Sequence, residues 1–322
     1  MKRFKHILMY AGTERTEAAI SRAVTLAMEN DARLTLMDVV KRVPRALSVL
    51  SDAAEPEEIE QLLRQDHQQK LLKIASEYID TGVSIDTLVT VGDPATEIVR
   101  RVLSDQHDLV IKCADGMSSA GRLFGSVARS LLRICPCPLW ILKPEIHGEF
   151  DRVLAAVDME SNDQAHGDLN REIFGLAASI AARENAQLDV VTAWDVWMEN
   201  ALRRRSGDAE INTLVHQHEQ QVRDRLHELL QTSENAVQES QCHVHHGQAA
   251  QVVRSVADRL EADLLVMGTV CRTGAAGFLI GNTAETILAD LTCSILALKP
   301  EGFISPIEMA TETNPLTEKF TS

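Results

Sequence analysis

Aromatic residues are scarce in this 322-residue chain, at 4% of positions, and no basic stripe interleaves them. That argues against a nucleic-acid platform built from stacking rings and phosphate-facing cations. Positive charge is also short: 32 Lys and Arg stand against 47 Asp and Glu, for a net charge of −15. Electrostatic binding to nucleic acid or to an anionic membrane surface is therefore disfavoured. Long apolar runs are missing as well, since stretches such as Leu264 to Met267 are far too short to span a bilayer. The opening Met1-Lys-Arg-Phe-Lys-His-Ile-Leu-Met-Tyr breaks off at Ala11-Gly-Thr-Glu-Arg, so no signal peptide is expected. Six cysteines without a spacing pattern fit reduced thiols and a cytoplasmic location rather than a disulfide framework. What remains, 45% apolar and 25% charged, is an ordinary soluble composition. At about 150 residues per domain the length predicts two domains.

The two domains are copies of one unit. At an offset of 156, the segment Gly125 to Pro144 aligns without gaps to Gly281 to Pro300, with seven of twenty positions identical. Chance gives about one, and a repeat at this scale governs every later reading of the fold. Phe4-Lys-His-Ile-Leu pairs with Phe150-Asp-Arg-Val-Leu at offset 146, and Ala32-Arg-Leu with Ala186-Gln-Leu at offset 154. A longer loop from Met159 to Asp168 accounts for the changing offset.

In each half, short apolar runs alternate with helical spacing, the pattern of a parallel α/β sheet. Strands are expected at 5–11, 33–40, 84–91, 108–113 and 138–143, and again at 152–158, 187–194, 237–246, 263–268 and 294–299. Ile20, Ala23, Val24, Ala27 and Met28 fall on one face of a helix covering the first two strands. Segments 45–58 and 200–210 are polar, carry Pro44, Pro56, Ser48 and Gly207, and read as loops after each second strand. From Glu301 onward periodicity disappears, and a peripheral or disordered tail is expected. The domains are thus 1–146, 147–300 and a tail of 301–322.

Gly268-Thr-Val-Cys-Arg-Thr-Gly-Ala-Ala-Gly-Phe-Leu-Ile-Gly281-Asn-Thr-Ala-Glu follows the apolar strand ending at Met267 and opens a helix. Glycine lets a backbone approach an anion, and the first helical amides offer unpaired donors with a favourable dipole. Phosphate is the natural guest. The same residues also read as a plain turn, in which Asn282 caps the helix and Glu285 closes a capping box. The pattern is neither a Walker A loop nor the dinucleotide fingerprint.

Val157-Asp158, Val-Met-Gly-Thr at 266–269, Gly281-Asn-Thr-Ala-Glu285 and Cys-Ser-Ile-Leu-Ala-Leu-Lys-Pro at 293–300 together resemble the universal stress protein family. Gly92-Asp-Pro, Gly125-Ser126 and Cys-Pro-Cys-Pro-Leu-Trp-Ile-Leu-Lys-Pro echo them in the first half, so the resemblance is to the tandem, E-type members and covers residues 1 to about 300. It implies an α/β fold of two flavodoxin-like (adenine nucleotide alpha hydrolase-like) domains, each a five-stranded parallel sheet flanked by helices. ATP-binding members of the family carry a loop of the form G-x2-G-x9-G-S/T and an Asp after the first strand that touches the adenosine end. In the second half the spacing is kept, but Cys271 replaces the second Gly and Asn282 the Ser/Thr. Carried over, Asp158 and Ala193 would face the nucleoside, while Met267, Gly268, Thr269, Cys271, Gly281, Asn282 and Thr283 would form the loop around the phosphates, with ATP and Mg as the implied ligand. In the first half Gly12 stands in place of the Asp, Lys112 of the first Gly and Asp115 of the second, although Gly125-Ser126 survive. That site reads as degenerate, without ATP. The resemblance further implies that the two domains pair within the chain through 138–143 and 294–299, with a homodimer and protein partners as further expectations.

Other clusters read as structural. In Cys242-His-Val-His-His246, His243 and His245 share one strand face and could ligate zinc, but no Cys-x2-Cys or His-Glu-x2-His supports them, and a partly exposed strand end is the plainer reading. His216 and His218 fall among Gln and Glu on an amphipathic helix and read as solvated. Cys135-Pro-Cys137 could be a redox pair, yet Pro between the cysteines makes bridging awkward, and small core residues are the simpler reading. No Gly-x-Ser-x-Gly elbow, paired carboxylates or nucleophile with its base marks a catalytic centre. The chain therefore reads as a stress-response ligand-binding protein. The alternatives are a scaffold or apolar-ligand binder and, less favoured, a slow nucleotide hydrolase using Asp158.

Overall fold

The computed structural model describes residues 3–12, 16–44, 56–115, 125–143, 149–161, 163–232, 237–273, 277–280, 284, 286–287, 291–307 and 316–320, with the backbone alone in 270–273, 277–280 and 316–320. The chain divides into two compact units, Met1–His147 with Phe303–Ser322, and Gly148–Gly302.

The first unit holds strands β1 (His6–Tyr10), β2 (Arg33–Val40), β3 (Ile85–Val91), β4 (Leu109–Cys113) and β5 (Leu139–Leu142), and helices α1 (Glu17–Asn30), α2 (Pro56–Ser76), α3 (Pro94–Asp105) and α4 (Ser126–Ile134). The strands run parallel in the order β3-β2-β1-β4-β5. β2, β4 and β5 are buried along almost their whole length, as a sheet covered by helices requires. α1 buries Ile20, Ala23, Val24 and Ala27 as its spacing predicts, but Met28 is 51% exposed and Leu26 is buried instead. The buried stripe of α1 is centred closer to Ala23 than the spacing alone placed it.

The second unit repeats the plan with β6 (Arg152–Ala156), β7 (Gln187–Trp194), β8 (Cys242–His246), β9 (Leu264–Gly268) and β12 (Ser294–Leu298), plus a hairpin of β10 (Val270–Thr273) and β11 (Gly277–Ile280). Its parallel order is β8-β7-β6-β9-β12. Its helices are α5 (Gln164–Glu184), α6 (Glu199–Ser206), α7 (Asp208–Leu230) and α8 (Ala249–Leu260).

The repeat extends to small devices that sequence comparison did not reveal. Asp108, just before β4, accepts from the amides of Lys5 and His6, and Asp263, just before β9, accepts from those of Asp151 and Arg152. Each carboxylate pins the start of the central strand to the start of its neighbour. Asn30 and Glu184, at the ends of α1 and α5, likewise receive the amides of Phe4 and Phe150. Asp31 and Asn185 both take left-handed φ, at 55° and 54°, to close those helices before the next strand.

Three expectations are corrected. Residues 200–210 are not a loop: α6 and α7 fill them, broken only at Gly207, whose φ of 86° suits glycine. Charge pairs such as Arg203 with Glu199 stabilise α6, which has no buried residue. The strand expected over 237–246 shortens to 242–246, because Glu239–Gln241 form a 3-10 turn closed by a Gln238–Gln241 capping box. The tail is not wholly irregular either, since β13 (Leu316–Phe320) pairs antiparallel with β3. The loop expected over 45–58 lies largely outside the described residues, although α2 already begins at Pro56. Among the described residues no helix is long and apolar enough to cross a membrane. Cys113, Cys135, Cys137, Cys242 and Cys293 take part in no disulfide among the described residues.

Candidate functional site

In a parallel sheet of this order, the loops leaving the central strand and its β9 or β4 neighbour diverge to opposite faces, and the crevice between them lies at the carboxyl ends of the strands. In the second unit the register sets Ala156 of β6 beside both Met267 of β9 and Val191 of β7. Asp158, Ala193 and Thr269 each lie two residues further on, so all three stand at one level, Asp158 and Thr269 just past their strands and Ala193 still within β7.

Asp158 is exposed and held in place. Its amide donates to Asn170 Oδ1 at 3.0 Å, and Asn170 Nδ2 donates to its carbonyl at 2.6 Å. Asn170 is buried on α5, so the helix clips the backbone of the loop on both sides. The Asp158 carboxylate receives the amides of Glu160 and Ser161 on Oδ1 and the Ser161 hydroxyl on Oδ2, at 2.9, 3.3 and 2.7 Å. Two oxygens with about four lone-pair sites still have room for one further donor.

Ala193 and Met267 are core strand residues, and only their main chain reaches the edge. Gly268 ends β9, where a Cβ would approach Leu169 Cδ2 to 2.9 Å, so helix packing alone already favours glycine. The Thr269 side chain is buried, and its hydroxyl and amide both donate to the carbonyl of Leu298, at 3.3 and 3.1 Å. Cys271 lies on β10 opposite Leu279 rather than in an open loop. Gly281, Asn282 and Thr283 lie outside the described residues.

The same crevice in the first unit is filled from within. Lys112 has no side-chain exposure, and its Nζ donates to the Cys113 carbonyl at 2.7 Å and to Asp115 Oδ1 at 2.9 Å. Burial lowers the Lys112 pKa and Asp115 opposes that shift. Asp115 Oδ2 in turn accepts from the amide of Gly125, the N-cap of α4, at 2.9 Å. A carboxylate of the chain itself thus occupies the helix N-terminus where an anion would be favoured. Across the crevice Asp38 is buried and paired with His67 Nδ1 at 2.7 Å. Tyr10 is also buried, and its phenol pKa is pushed up by that burial and by Asp38, Asp115 and Asp93.

Around β7 and β8 the structure assembles groups that sequence reasoning missed. Trp194 stacks on His246, with centroids 4.5 Å apart, and meets His218 edge-on at 5.6 Å. Glu160 Oε1 accepts from the Asp195 amide at 3.0 Å and lies 3.2 Å from His218 Nε2, while Arg225 Nη1 donates to the carbonyls of Met159 and Glu160. His218 is therefore a half-exposed member of this edge with a ring contact and an acidic partner, more than a simply solvated position. The signal available in sequence was Trp194-Asp195 and His246-Gly247 at the ends of adjacent strands. The helix that carries His218 and Arg225 was expected, but its packing against the end of β7 was not legible in the sequence. His243 pairs with Asp189 at 2.9 Å, and its ring stands 6.4 Å from that of His245. Burial, Arg259 and His243 lower the His245 pKa.

The universal stress protein family model matches residues 3–143 and 149–299. The chain is 27% identical over 302 residues to universal stress protein E of Photorhabdus laumondii, covering 92% of this chain and 95% of that protein. It is 30% identical over 245 residues to universal stress protein E of Escherichia coli K12, covering 74% and 75%. Among solved structures, a protein of unknown function from Pseudomonas aeruginosa PAO1 matches with a TM-score of 0.71 at 26% identity, over 93% and 94% of the two chains. A universal stress protein from Archaeoglobus fulgidus matches in fold with a TM-score of 0.61 at 16% identity, over 91% and 98%. With both of its halves matched by the family model, this chain belongs to the universal stress protein family.

Proposed function

We propose that this protein is a stress-response ligand-binding protein whose second unit takes a nucleotide-type, phosphate-bearing small molecule at the carboxyl edge of its sheet, and whose first unit does not. The observation that carries the reading is Asp158: an exposed carboxylate at the switch of strand order, its backbone clipped by Asn170 and level with the end of β9. A fixed acceptor there suits ribose hydroxyls, which donate hydrogen bonds. At the position of that acceptor the first unit carries Gly12, and Asp115 already holds the anion position. Binding of ATP with Mg is the form the family resemblance favours. Native mass spectrometry of the untagged chain, with and without Mg-ATP, tests it. One nucleotide per chain in the wild type, lost in Asp158→Ala, is the expected result. Two per chain would overturn the assignment of the first unit, and none would overturn the reading altogether.

An apolar-ligand reading draws on one feature, an open pocket of about 260 Å³ in the second unit between α5 and the 3-10 turn, lined by Ala178, Ala181, Leu188 and Val237 but also by the polar Gln187 and Gln241. It falls just below the range of about 300–1,000 Å³ typical of small-molecule pockets. A fatty-acid displacement assay that finds no binding while ATP binds removes this alternative.

A further inference from the structure

We infer that His246, Asp195 and Glu199 form a binding site for one borderline divalent cation, of the zinc or cobalt type, at the β7–β8 edge of the second unit. One donor atom from each residue lies within 4.8 Å of the other two. Asp195 follows β7 directly, Glu199 opens α6 four residues later, and His246 ends β8, the strand parallel to β7. Strand pairing and the short β7–α6 connection therefore bring the three together.

The distances favour a cation over a plain ion pair. His246 Nε2 lies 3.4 Å from Asp195 Oδ1 and 3.2 Å from Glu199 Oε2. Charge-assisted N–H···O bonds close to about 2.7–2.9 Å. Ligands on a tetrahedral zinc, bound at about 2.0–2.1 Å, stand roughly 3.3–3.4 Å from one another, close to the two nitrogen–oxygen separations around His246, while all three donor atoms lie within 4.8 Å. One imidazole N–H, moreover, donates well to only one acceptor, yet two carboxylate oxygens converge on the same nitrogen. A divalent ion in place of that proton would bind all three donors and offset the repulsion between the carboxylates.

The surroundings hold the donors in place. Trp194 stacks on the His246 ring. Arg203 Nε takes the other oxygen of Glu199, Oε1, at 2.8 Å and leaves Oε2 facing His246. The Asp195 amide is fixed by Glu160. Such outer contacts orient ligands and raise metal affinity. Asp195 and His246 are roughly half exposed, which leaves a coordination position open to water or to an anionic ligand. One imidazole and two carboxylates, with no thiolate, suit zinc, cobalt or manganese better than a soft ion. The metal-bearing histidine is thus His246 and not the pair His243 and His245, whose first member is already committed to Asp189.

The test is titration of the untagged, EDTA-treated full chain with zinc by calorimetry and with cobalt by visible absorption. The expected result is one equivalent of each metal and ligand-field bands of four- or five-coordinate cobalt without a thiolate charge-transfer band. Asp195→Asn, Glu199→Gln and His246→Ala should each weaken zinc binding by more than about tenfold. Circular dichroism and the metal-free melting temperature check that these surface variants fold. Absence of binding in the folded wild type would overturn the site. So would full retention in His246→Ala, loss in His243→Ala alone, or a thiolate band that places the metal on a cysteine.

Discussion

The two units share a strand order, a carboxylate that pins the central strand and a left-handed helix stop, yet they treat the switch point in opposite ways. In the first, Lys112, Asp115, Asp38 and Tyr10 pack the crevice with the chain's own charges. In the second, Gly268 and Asp158 leave a backbone edge and an exposed acceptor. The first unit thus supplies from within the negative charge that a helix N-terminus favours: Asp115 stands at the start of α4 and accepts from its N-cap amide. The helix keeps its dipole, and its first amide keeps a partner.

The strongest way to break this comparison is to remove the internal anion. Asp115→Ala leaves the Lys112 ammonium buried and the Gly125 amide without its acceptor. Removing one partner of a buried pair costs about 3–5 kcal/mol, and because Asp115 is itself partly exposed the lower end applies, about 3 kcal/mol in urea unfolding. Lys112→Met with Asp115→Ala should recover most of that loss. Millimolar phosphate should raise the melting temperature of Asp115→Ala more than that of the wild type. An equal shift in both would show that the place of the carboxylate is not an anion site.

Acid offers a second way to separate the units. His107 is buried against His6, with ring centroids 3.8 Å apart and both rings reaching Thr35 Oγ1. Its pKa is lowered to about 3, first by burial and then by His6. The unfolded chain binds this proton below its ordinary value of about 6.5 while the folded chain refuses it until about pH 3. The associated stability is therefore full above pH 6.5 and is lost as pH falls through that window, by about 3 kcal/mol at pH 4. The second unit has Ala262 and Arg152 at the repeat positions, and its own histidine with a lowered pKa, His245, is only half-buried, so its acid liability is smaller. Hydrogen exchange, corrected for intrinsic rates, should show the first unit losing protection before the second as pH drops from 7 to 4. His107→Gln should narrow the gap, and equal loss in both units would remove the assignment.

How much of this was legible in the sequence depends on the range of the interaction. Nine of the ten parallel strands follow from apolar runs, because burial of a covered strand is written in its own residues, while β8, Cys-His-Val-His-His and only half-buried, follows from the repeat. The unfilled position of Asp158 and the substitutions at Lys112 and Asp115 were also visible, since a motif fixes its own spacing. What was hidden are contacts between residues far apart in the chain. Nothing near Thr269 announces that its hydroxyl goes to Leu298, and nothing near Asn170 announces its two bonds to Asp158. α6 was hidden for a different reason: Arg203, Arg204 and Arg205 with Glu199 make a helix without an apolar stripe, so periodicity has nothing to report.

The smallest expected effect sharpens the comparison at one atom in each unit. In Gly12→Ala the new methyl falls on the Asp38 carboxylate and the Tyr10 phenol, both buried, the first fixed by His67. Neither can withdraw without losing a partner or opening a void, and overpacking of this kind costs about 2 kcal/mol. In Gly268→Ala the methyl meets Leu169 Cδ2 at 2.9 Å and Ile173 Cδ1 at 3.6 Å, the ends of flexible side chains that can turn aside. The loss there should stay below about 1 kcal/mol, partly offset by the reduced freedom of the unfolded chain. Denaturant midpoints of the two variants measure the difference. Glycine at 268 serves a ligand if nucleotide binding falls sharply while stability hardly moves. If binding and stability decline together, glycine is there for α5, and the crevice of the second unit is shaped by helix packing rather than by its guest.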